Sequence, residues 1–326
     1  MEFLSEFGLF LAKALTILLV AVVITGAVVN AIRNSRQSGP APDQLEVRHL
    51  NADFERAELA VKSVMLPGKA AKAERKALKA RHKARLKESR RRVFVLDFDG
   101  DLKASAVEGL RQEITALLMV ANKDDEVLLR LESPGGLVPA YGLAAAQLMR
   151  IRDRGISLTV VVDKMAASGG YMMACVADRI LAAPFAILGS IGVIAQLPNF
   201  HRLLKKHNID YEQFMAGEFK RTVTVFGENT DQGRDKFQQE VEEAHSLFKQ
   251  FVAEHRPQVV LEQVATGEHW YGRRAMELKL ADELITSDDY LLKASADADL
   301  YGLRQAVPKP WLTRLLSQTT RAFRSI

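Results

Sequence analysis

Residues 156–174 read ISLTVVVDKMAASGGYMMA and place an apolar run directly before a serine and two glycines. The run at residues 158–162, LTVVV, has the length and β-branched composition of a buried strand. The small and apolar residues after Ser168 predict the start of a helix. A strand that passes through a glycine turn into a helix is the repeating unit of a parallel α/β sheet.

Apolar strands alternate with amphipathic segments on both sides of this stretch. Strands are predicted at residues 93–100, 126–136, 156–163 and 178–184, and helices at residues 104–122, 141–153 and 168–177, with residues 198–256 largely helical. This alternation requires crossover connections. It therefore predicts an α/β fold with a parallel sheet core.

The N-terminal region carries a long apolar segment. The run at residues 7–32 is long enough to span a bilayer as a helix and contains one charge, Lys13. A cleaved signal peptide fits less well, because Glu2 and Glu6 stand where a basic region would be expected. We therefore predict a retained transmembrane helix within an anchor at residues 1–36.

Positive charge is concentrated in one segment of the 326-residue chain. Residues 69–92 contain twelve Lys or Arg and two Glu, a net charge of +10, whereas the whole chain carries +5 and the remainder therefore −5. The high pI belongs to this segment, so the composition does not predict a nucleic-acid-binding protein. We interpret residues 37–92 as a basic helical linker that is broken at Pro67 and Gly68. The basic stretch is either a solvated helix or a contact for anionic lipid headgroups.

Two glycine turns follow successive predicted strands, SPGG at residues 133–136 and ASGG at residues 167–170. In an open parallel sheet, ligands bind beyond the carboxyl ends of the strands, where both turns fall. Glycine lets backbone N–H groups approach a ligand closely, and the first turn of a helix favours nearby negative charge. From this stretch alone, Ser168 is either a nucleophile or an N-cap residue.

A nucleophilic serine requires a base. None of the seven histidines lies in a glycine-framed turn, and His269 occurs in GEHWYG. A Ser-His-Asp triad is therefore not excluded by the sequence, but no histidine is obviously placed to act as its base. A lysine can serve instead if burial lowers its pKa. Lys220, in MAGEFKRTVTVFGE at residues 215–228, is the candidate, and its alternative role is an ordinary surface lysine beside Arg221.

Five motifs in this order resemble the signal peptide peptidase A family of serine peptidases, S49, in its shorter, single-unit branch. They are SPGG, DKMAASGGYMMACVADRILAAP at residues 163–184, GSIGVI at residues 189–194, AGEFKR at residues 216–221 and GEHWYGRRAMELKLADEL at residues 267–284. Each motif alone is weak, but their joint order and spacing are specific. The resemblance extends over nearly the whole chain, including the N-terminal apolar segment and the basic linker.

The resemblance implies a crotonase-like or Clp-protease-like fold and a serine–lysine dyad without cofactor or metal. Carried over motif by motif, Ser168 is the nucleophile and Lys220 the general base. Gly135 and Gly136 line the oxyanion hole, and the Gly169 amide is its second donor. The peptidase domain is then expected at residues 93–290, followed by a C-terminal tail at residues 291–326.

Several residues close in sequence to Ser168 and Lys220 bear on the expected dyad. Phe219 stands where the family usually has tyrosine, which keeps an aromatic ring and loses a hydroxyl. Clp-type peptidases carry their histidine about where residues 188–196 lie here, and this stretch contains none. Ser190 lies within it and is either a helper hydroxyl or a turn residue. The single cysteine, Cys175, follows Ser168 in an apolar run and is expected to be a buried structural thiol.

The resemblance also implies partners and a location. Short family members assemble as rings in which a neighbouring subunit supplies the lysine, and they act on signal peptides or other small hydrophobic peptides at the bacterial inner membrane. It implies a periplasmic peptidase domain, whereas Arg33 and Arg36 after the predicted span favour the cytoplasm. A catalytically idle scaffold of the same fold is the alternative function. An acyl-CoA enzyme of the crotonase fold is disfavoured by the anchor and the serine turn.

Overall fold

The computed structural model describes residues 45–85, 88 and 90–305, together with Lys13 and Thr16. Residues Val47–Arg304 form one compact unit, and the second unit, residues 1–46 and 305–326, is described at only a few positions. Within the described part of the chain, no helix has the length and apolar character needed to cross a bilayer. The predicted anchor, except for Lys13 and Thr16, and the end of the C-terminal tail lie outside the described residues.

A predominantly parallel sheet forms the core. Its strands are Leu45–His49 (β1), Arg91–Asp99 (β2), Glu126–Glu132 (β3), Ser157–Val162 (β4), Arg179–Ala182 (β6), Glu283–Leu284 (β9) and Ala298–Gln305 (β10). Their order in the sheet is β1-β10-β2-β3-β4-β6-β9. The pairings from β10 through β9 are all parallel. The predicted α/β fold with a parallel sheet core is therefore confirmed.

A second, smaller sheet lies beside the carboxyl ends of β3 and β4. It consists of Met165–Ala167 (β5), Ile187–Gly189 (β7) and His269–Tyr271 (β8). β5 and β7 are parallel, and β8 is antiparallel to β7. A bridge between Ser133 and Ala166 joins the end of β3 to β5. The sequence pattern did not predict this sheet, because its strands have only three residues each.

Helices pack on both faces of the main sheet. They are Leu50–Met65 (α1), Gly68–Arg85 (α2), Val107–Leu118 (α3), Val138–Arg152 (α4), Gly169–Ala174 (α5), His201–Lys206 (α6), Asp231–His255 (α7), Leu261–Val264 (α8), Gly272–Glu277 (α9) and Ser287–Ala294 (α10). Successive side chains of a strand point to opposite faces. Val93 and Val95 of β2 accordingly join a buried cluster with Leu291 of α10, whereas Phe98 packs edge-on against Tyr141 of α4.

The prediction that residues 198–256 are largely helical is wrong for residues 207–230, which contain no helix. α6 ends where Asn208 adopts a φ of 54°, and Gly217 has a φ of +97°. Positive φ values of this kind interrupt a right-handed helix. The segment is tied instead by the Asn199 side-chain amide, which donates to the carbonyls of Thr224 and Gly227 over 2.9 and 3.0 Å.

Two strands of the main sheet, β1 and β10, come from outside residues 93–290. The buried Asn51 side chain, at the start of α1, donates to the Ala298 carbonyl over 3.0 Å and accepts from the Leu300 amide over 2.7 Å. The predicted linker therefore begins as part of the packed domain. The sequence predicts the break at Pro67 and Gly68, and the structure places it at Leu66 and Pro67, because Gly68 begins α2.

An ion pair between the buried Arg256 and the partly exposed Asp282 fastens the end of α7 to the segment before β9. Arg256, only 2% exposed, donates twice to the Asp282 carboxylate, over 2.9 and 2.8 Å, and once to the Lys279 carbonyl. Asp282 also accepts from the Ile180 amide of β6 over 2.7 Å. Removing one partner of such a pair leaves the other charge buried and uncompensated.

We expect Asp282→Ala to lower the free energy of unfolding by about 3–5 kcal/mol, because it strands the Arg256 guanidinium. The matched control is Glu283→Ala, which breaks the neighbouring surface pair with Arg179, both of whose side chains are 48% exposed. That control should cost about 1 kcal/mol or less. Equilibrium urea unfolding measures both values, and equal losses would contradict the assignment.

Candidate active site

Ser168 lies in the turn between β5 and α5 and has an unusual backbone conformation. Its φ is 53° and its ψ is −118°, a sparsely populated region that costs about 1–3 kcal/mol for a residue with a side chain. The turn is held because the Ser168 N–H donates to the Gly189 carbonyl over 2.8 Å and its own carbonyl accepts from the Met172 amide over 3.0 Å. A sharp, strained strand-to-helix turn is typical of nucleophilic serines.

The fold makes no use of the Ser168 hydroxyl. Ser168 occupies the N-cap position of α5, yet its side chain forms no capping hydrogen bond. Among the described residues Oγ has no hydrogen-bond partner, and the residue is partly exposed. A capping role therefore does not account for a serine at this position.

The two glycine turns meet at this point. Gly135 has a φ of +87°, and a Cβ added there would lie 2.7 Å from the Ser168 Cβ and 2.8 Å from the Gly169 nitrogen. A Cβ on Gly136 would lie 2.2 Å from the Leu102 carbonyl oxygen. Both positions accordingly require glycine. The predicted candidates Ser168, Gly135 and Gly169 are brought into contact, as the parallel-sheet argument expected.

The three candidate amides differ in availability. The Gly135 N–H already donates to Ser133 Oγ over 3.0 Å. The N–H groups of Gly136 and Gly169 have no hydrogen-bond acceptor within the described part of the chain. Two N–H groups are therefore available as donors next to Gly135. One belongs to Gly136 in the same turn, and the other belongs to Gly169 in the turn that packs against it.

A buried hydroxyl network supports the SPGG turn, and sequence reasoning missed it. Ser133 is fully buried, and its Oγ lies 2.6 Å from the Tyr141 hydroxyl. Tyr141 donates its one hydroxyl proton to the Asp101 carbonyl over 2.8 Å, so Ser133 is the donor to Tyr141. Burial raises the pKa of Tyr141 above its ordinary value, which keeps the phenol neutral. The Tyr141 ring also lies directly beneath Gly169.

Lys220 lies on the non-helical segment at residues 207–230 and is exposed. Its backbone N–H closes a turn with the Gly217 carbonyl over 3.2 Å, and Lys236 stacks over the ring of neighbouring Phe219. Within the described residues, no hydrogen bond or ion pair joins the Lys220 amine to any group, Ser168 included. A single chain does not bring the two predicted dyad residues together.

Ser190 and His269 lie near Ser168 through strand pairing. Ser190, with a φ of 52°, donates its N–H to the Glu268 carbonyl over 2.6 Å, and its hydroxyl lies 3.5 Å from the Gly267 carbonyl. His269 pairs with Gly189, whose carbonyl holds the Ser168 amide. The exposed His269 ring packs edge-on against Tyr271 and has no hydrogen bond to another described residue.

Cys175 is buried in α5's continuation, as expected. Its Sγ donates to the Met172 carbonyl over 3.2 Å, and the residue is inaccessible to solvent. Burial raises the thiol pKa far above its ordinary value, so little thiolate forms. Cys175 is a structural thiol.

We expect Ser133→Ala to lower the free energy of unfolding by about 1–3 kcal/mol, because the Gly135 N–H loses its buried acceptor. Ser63→Ala is the matched control, since its hydroxyl bonds an exposed helix carbonyl, and it should be nearly neutral. Tyr141→Phe removes the hydroxyl that accepts from Ser133 and donates to Asp101, but it leaves the bond from the Gly135 N–H to Ser133 in place. Its effect should therefore lie between the two. Urea unfolding of the three variants measures the order, and a neutral Ser133→Ala would refute the network.

Comparisons with known proteins identify the family of this chain. The family model described as peptidase family S49 N-terminal matches residues 2–148, and the model described as peptidase family S49 matches residues 150–301. The probable protease SohB of Haemophilus influenzae is 48% identical over 94% of this chain and 90% of its own length. The probable protease SohB of Buchnera aphidicola subsp. Schlechtendalia chinensis is 43% identical over 90% of this chain and 99% of its own length.

Among solved structures, a mutant of the 1510-N membrane-bound stomatin-specific protease is 14% identical, covers 63% of this chain and 85% of its own, and has a TM-score of 0.43. The family assignment rests on the sequence matches alone. Those matches cover nearly the full length of this chain and of its relatives. The chain belongs to peptidase family S49.

Proposed function

We propose that this protein is a serine endopeptidase of crotonase- or Clp-protease-like fold in which Ser168 is the nucleophile and Lys220 the general base. The observation that carries the proposal is the backbone of Ser168. That backbone is strained and abuts Gly135, and the Ser168 hydroxyl has no hydrogen-bond partner among the residues that the structure describes. A strained backbone conformation that forms no stabilising side-chain contact is expected where function requires that geometry.

The chemistry follows from the placement of the groups. Lys220 takes the proton of Ser168 Oγ as the oxygen forms a bond to the carbonyl carbon of the peptide. The resulting oxyanion accepts hydrogen bonds from the Gly136 and Gly169 amides, each worth about 3 kcal/mol in the transition state. Collapse of the intermediate breaks the C–N bond, and the leaving amine receives the proton from Lys220. Water then hydrolyses the acyl-enzyme by the same route.

In this scheme Gly135 has a conformational role. Its amide is engaged by Ser133, so the donors are the residues on either side of the contact, Gly136 and Gly169. The positive φ of Gly135 turns the chain so that it can pack against Ser168. The network of Ser133 and Tyr141 holds that turn.

We further propose that a neighbouring subunit supplies Lys220, within a ring. Lys220 is exposed, and its amine has no hydrogen bond or ion pair in the described part of its own chain. Its segment also exposes large apolar side chains, among them Phe214 at 90% and Met215 at 51%. Exposed apolar surface of this kind marks a protein interface. Burial at such an interface would favour the neutral amine that a base must be.

The substrates we propose are signal peptides or other small hydrophobic peptides and membrane-associated proteins at the bacterial inner membrane. The family resemblance and the long apolar N-terminal segment support this choice. We place the peptidase domain on the periplasmic side. Arg33 and Arg36 oppose that orientation, and reporter fusions after Arg36 decide it.

The dyad is tested by peptide hydrolysis with the full chain. Ser168→Ala and Lys220→Ala should each lower kcat by about a thousandfold or more, because each removes a group that acts in the transition state. Arg221→Ala, which alters the neighbouring exposed cation, should retain activity. His269→Gln separates a lysine base from a histidine base. If His269→Gln lost activity and Lys220→Ala kept it, His269 rather than Lys220 would be the base. If the wild type were inactive, the catalytically idle scaffold would be favoured.

Sharing between subunits is tested by mixing the two inactive variants after dissociation and reassembly. If each site takes Ser168 from one chain and Lys220 from the next, an equal mixture should recover about one quarter of wild-type activity, since one interface in four pairs two intact groups. Mixing either variant with the Ser168→Ala, Lys220→Ala double variant is the control and should recover none. Failure of the productive mixture would show that each chain keeps its own pair.

A further inference from the structure

The hairpin of α1 and α2 is fastened to the domain at one end. Asn51, at the start of α1, donates to the Ser295 carbonyl over 3.3 Å, and Arg85, at the end of α2, donates to the same carbonyl over 2.9 Å. Arg85 also pairs with Glu55 over 2.9 Å. The other end of the hairpin, at Leu66 and Pro67, lies about 24 Å along α1 from this base.

α2 carries a large excess of positive charge. Its eighteen residues contain eight Lys or Arg and a single acidic residue, Glu74. Glu74 is neutralised by Lys62 of α1 over 2.6 Å, which lowers the pKa of the Glu74 carboxyl. The charge of α2 is therefore not balanced by its partner helix.

Several of these cations have no acidic partner among the described residues and are exposed. They are Lys69, Lys72, Arg75 and Lys76. At 3.6 residues per turn, Lys69, Lys72 and Lys76 fall within an arc of about 60°. The unpaired charge thus forms one face of α2 near the connection to α1.

The same end of the hairpin exposes apolar side chains of α1. Val61, Val64 and Met65 are 59%, 88% and 74% exposed. Their spacing of three and four residues places them on one face of the helix. The exposed Val64 and Met65 lie at the same end of the hairpin as Lys69 and Lys72. Apolar side chains and cations at one tip match the boundary between lipid headgroups and acyl chains, where apolar groups insert and cations meet anionic headgroups.

We propose that the α1–α2 hairpin binds the surface of an anionic lipid bilayer through Lys69, Lys72 and Lys76 and inserts Val64 and Met65. Nucleic acid is a poorer match, because α2 contains no phenylalanine, tyrosine or tryptophan for base stacking and the apolar tip would stay in water. A second copy of the hairpin is also disfavoured, because like charges would face each other.

The hairpin base lies at the edge of the sheet where the parallel strands begin. Ser295 and Ala298 stand directly before and at the start of β10, whereas Ser133 and Ser168 follow the carboxyl ends of β3 and β5. The lipid contact is thus joined to the domain opposite the catalytic turns. It orients the domain without occupying the site at Ser168.

The test uses a fluorescent probe at the hairpin tip. Because Cys175 is buried, a cysteine introduced by Val64→Cys in the full chain can be labelled selectively with an environment-sensitive dye. Phe185→Cys, 85% exposed after β6, is the matched control. With vesicles of phosphatidylcholine plus phosphatidylglycerol, the dye at position 64 should shift to the blue and brighten severalfold, and the dye at position 185 should not. High salt should reverse the shift.

The charge requirement is tested by replacing Lys69, Lys72 and Lys76 with glutamine. This change should lower the affinity for vesicles that contain phosphatidylglycerol by about a hundredfold, because each cation contributes roughly a fivefold factor. The same replacement at the exposed Lys103, Lys205 and Lys206 should leave it unchanged.

Three outcomes would overturn the proposal. The first is an equal signal at position 64 with vesicles of phosphatidylcholine alone. The second is a shift of the dye before vesicles are added, which would indicate a contact with a second copy of the chain. The third is a shift with RNA but not with vesicles. Sedimentation with phosphatidylcholine vesicles reports the N-terminal anchor separately. Failure of the anchor and failure of the hairpin are therefore distinguishable.

Discussion

The geometry of the site depends on a serine held at positive φ between a three-residue strand and a six-residue helix. The Gly189 carbonyl holds the Ser168 amide from one side, and Gly135 packs against it from the other. The contact with Gly135 tolerates no side chain there, because a Cβ on Gly135 would lie 2.7 Å from the Ser168 Cβ. The parallel sheet supplies this arrangement, since β3 and β4 end at the same edge and bring both glycine turns with them.

The pattern of apolar residues predicted the central strands and the helices between them, because buried parallel strands are continuous apolar runs with turn residues at their ends. Pattern reasoning failed where local sequence is not decisive. The prediction of helix over residues 207–230 fails because Asn208 and Gly217 adopt positive φ values, which interrupt a right-handed helix. β5, β7 and β8 are too short to show a period, and β10 joins the sheet through contacts that are distant in sequence.

For the site, sequence motifs identified Ser168 and its glycines, and the physical reason is visible in the close backbone contacts that only glycine permits. The supporting hydroxyls were not predictable in the same way. Ser133 and Tyr141 are eight residues apart, across a turn and a helix start, and their hydrogen bond depends on the packing of α4. The partner of the Lys220 amine could not be predicted for a different reason. No residue in the described part of its own chain forms a hydrogen bond or ion pair with that amine.

The exposure of Lys220 is a physical reason to propose that the chains assemble into an oligomer. A lysine amine works as a base only when neutral, and contact with water favours its charged form. Lys220 is exposed, and so are the large apolar side chains beside it, Phe214 and Met215. Burying this segment against a neighbouring chain would remove both from water at once. The same contact that covers the apolar surface would then bring the amine to a hydroxyl that its own fold leaves unpaired. Such an enzyme would be catalytically incomplete as a single chain, so its activity would depend on protein concentration as well as on its residues.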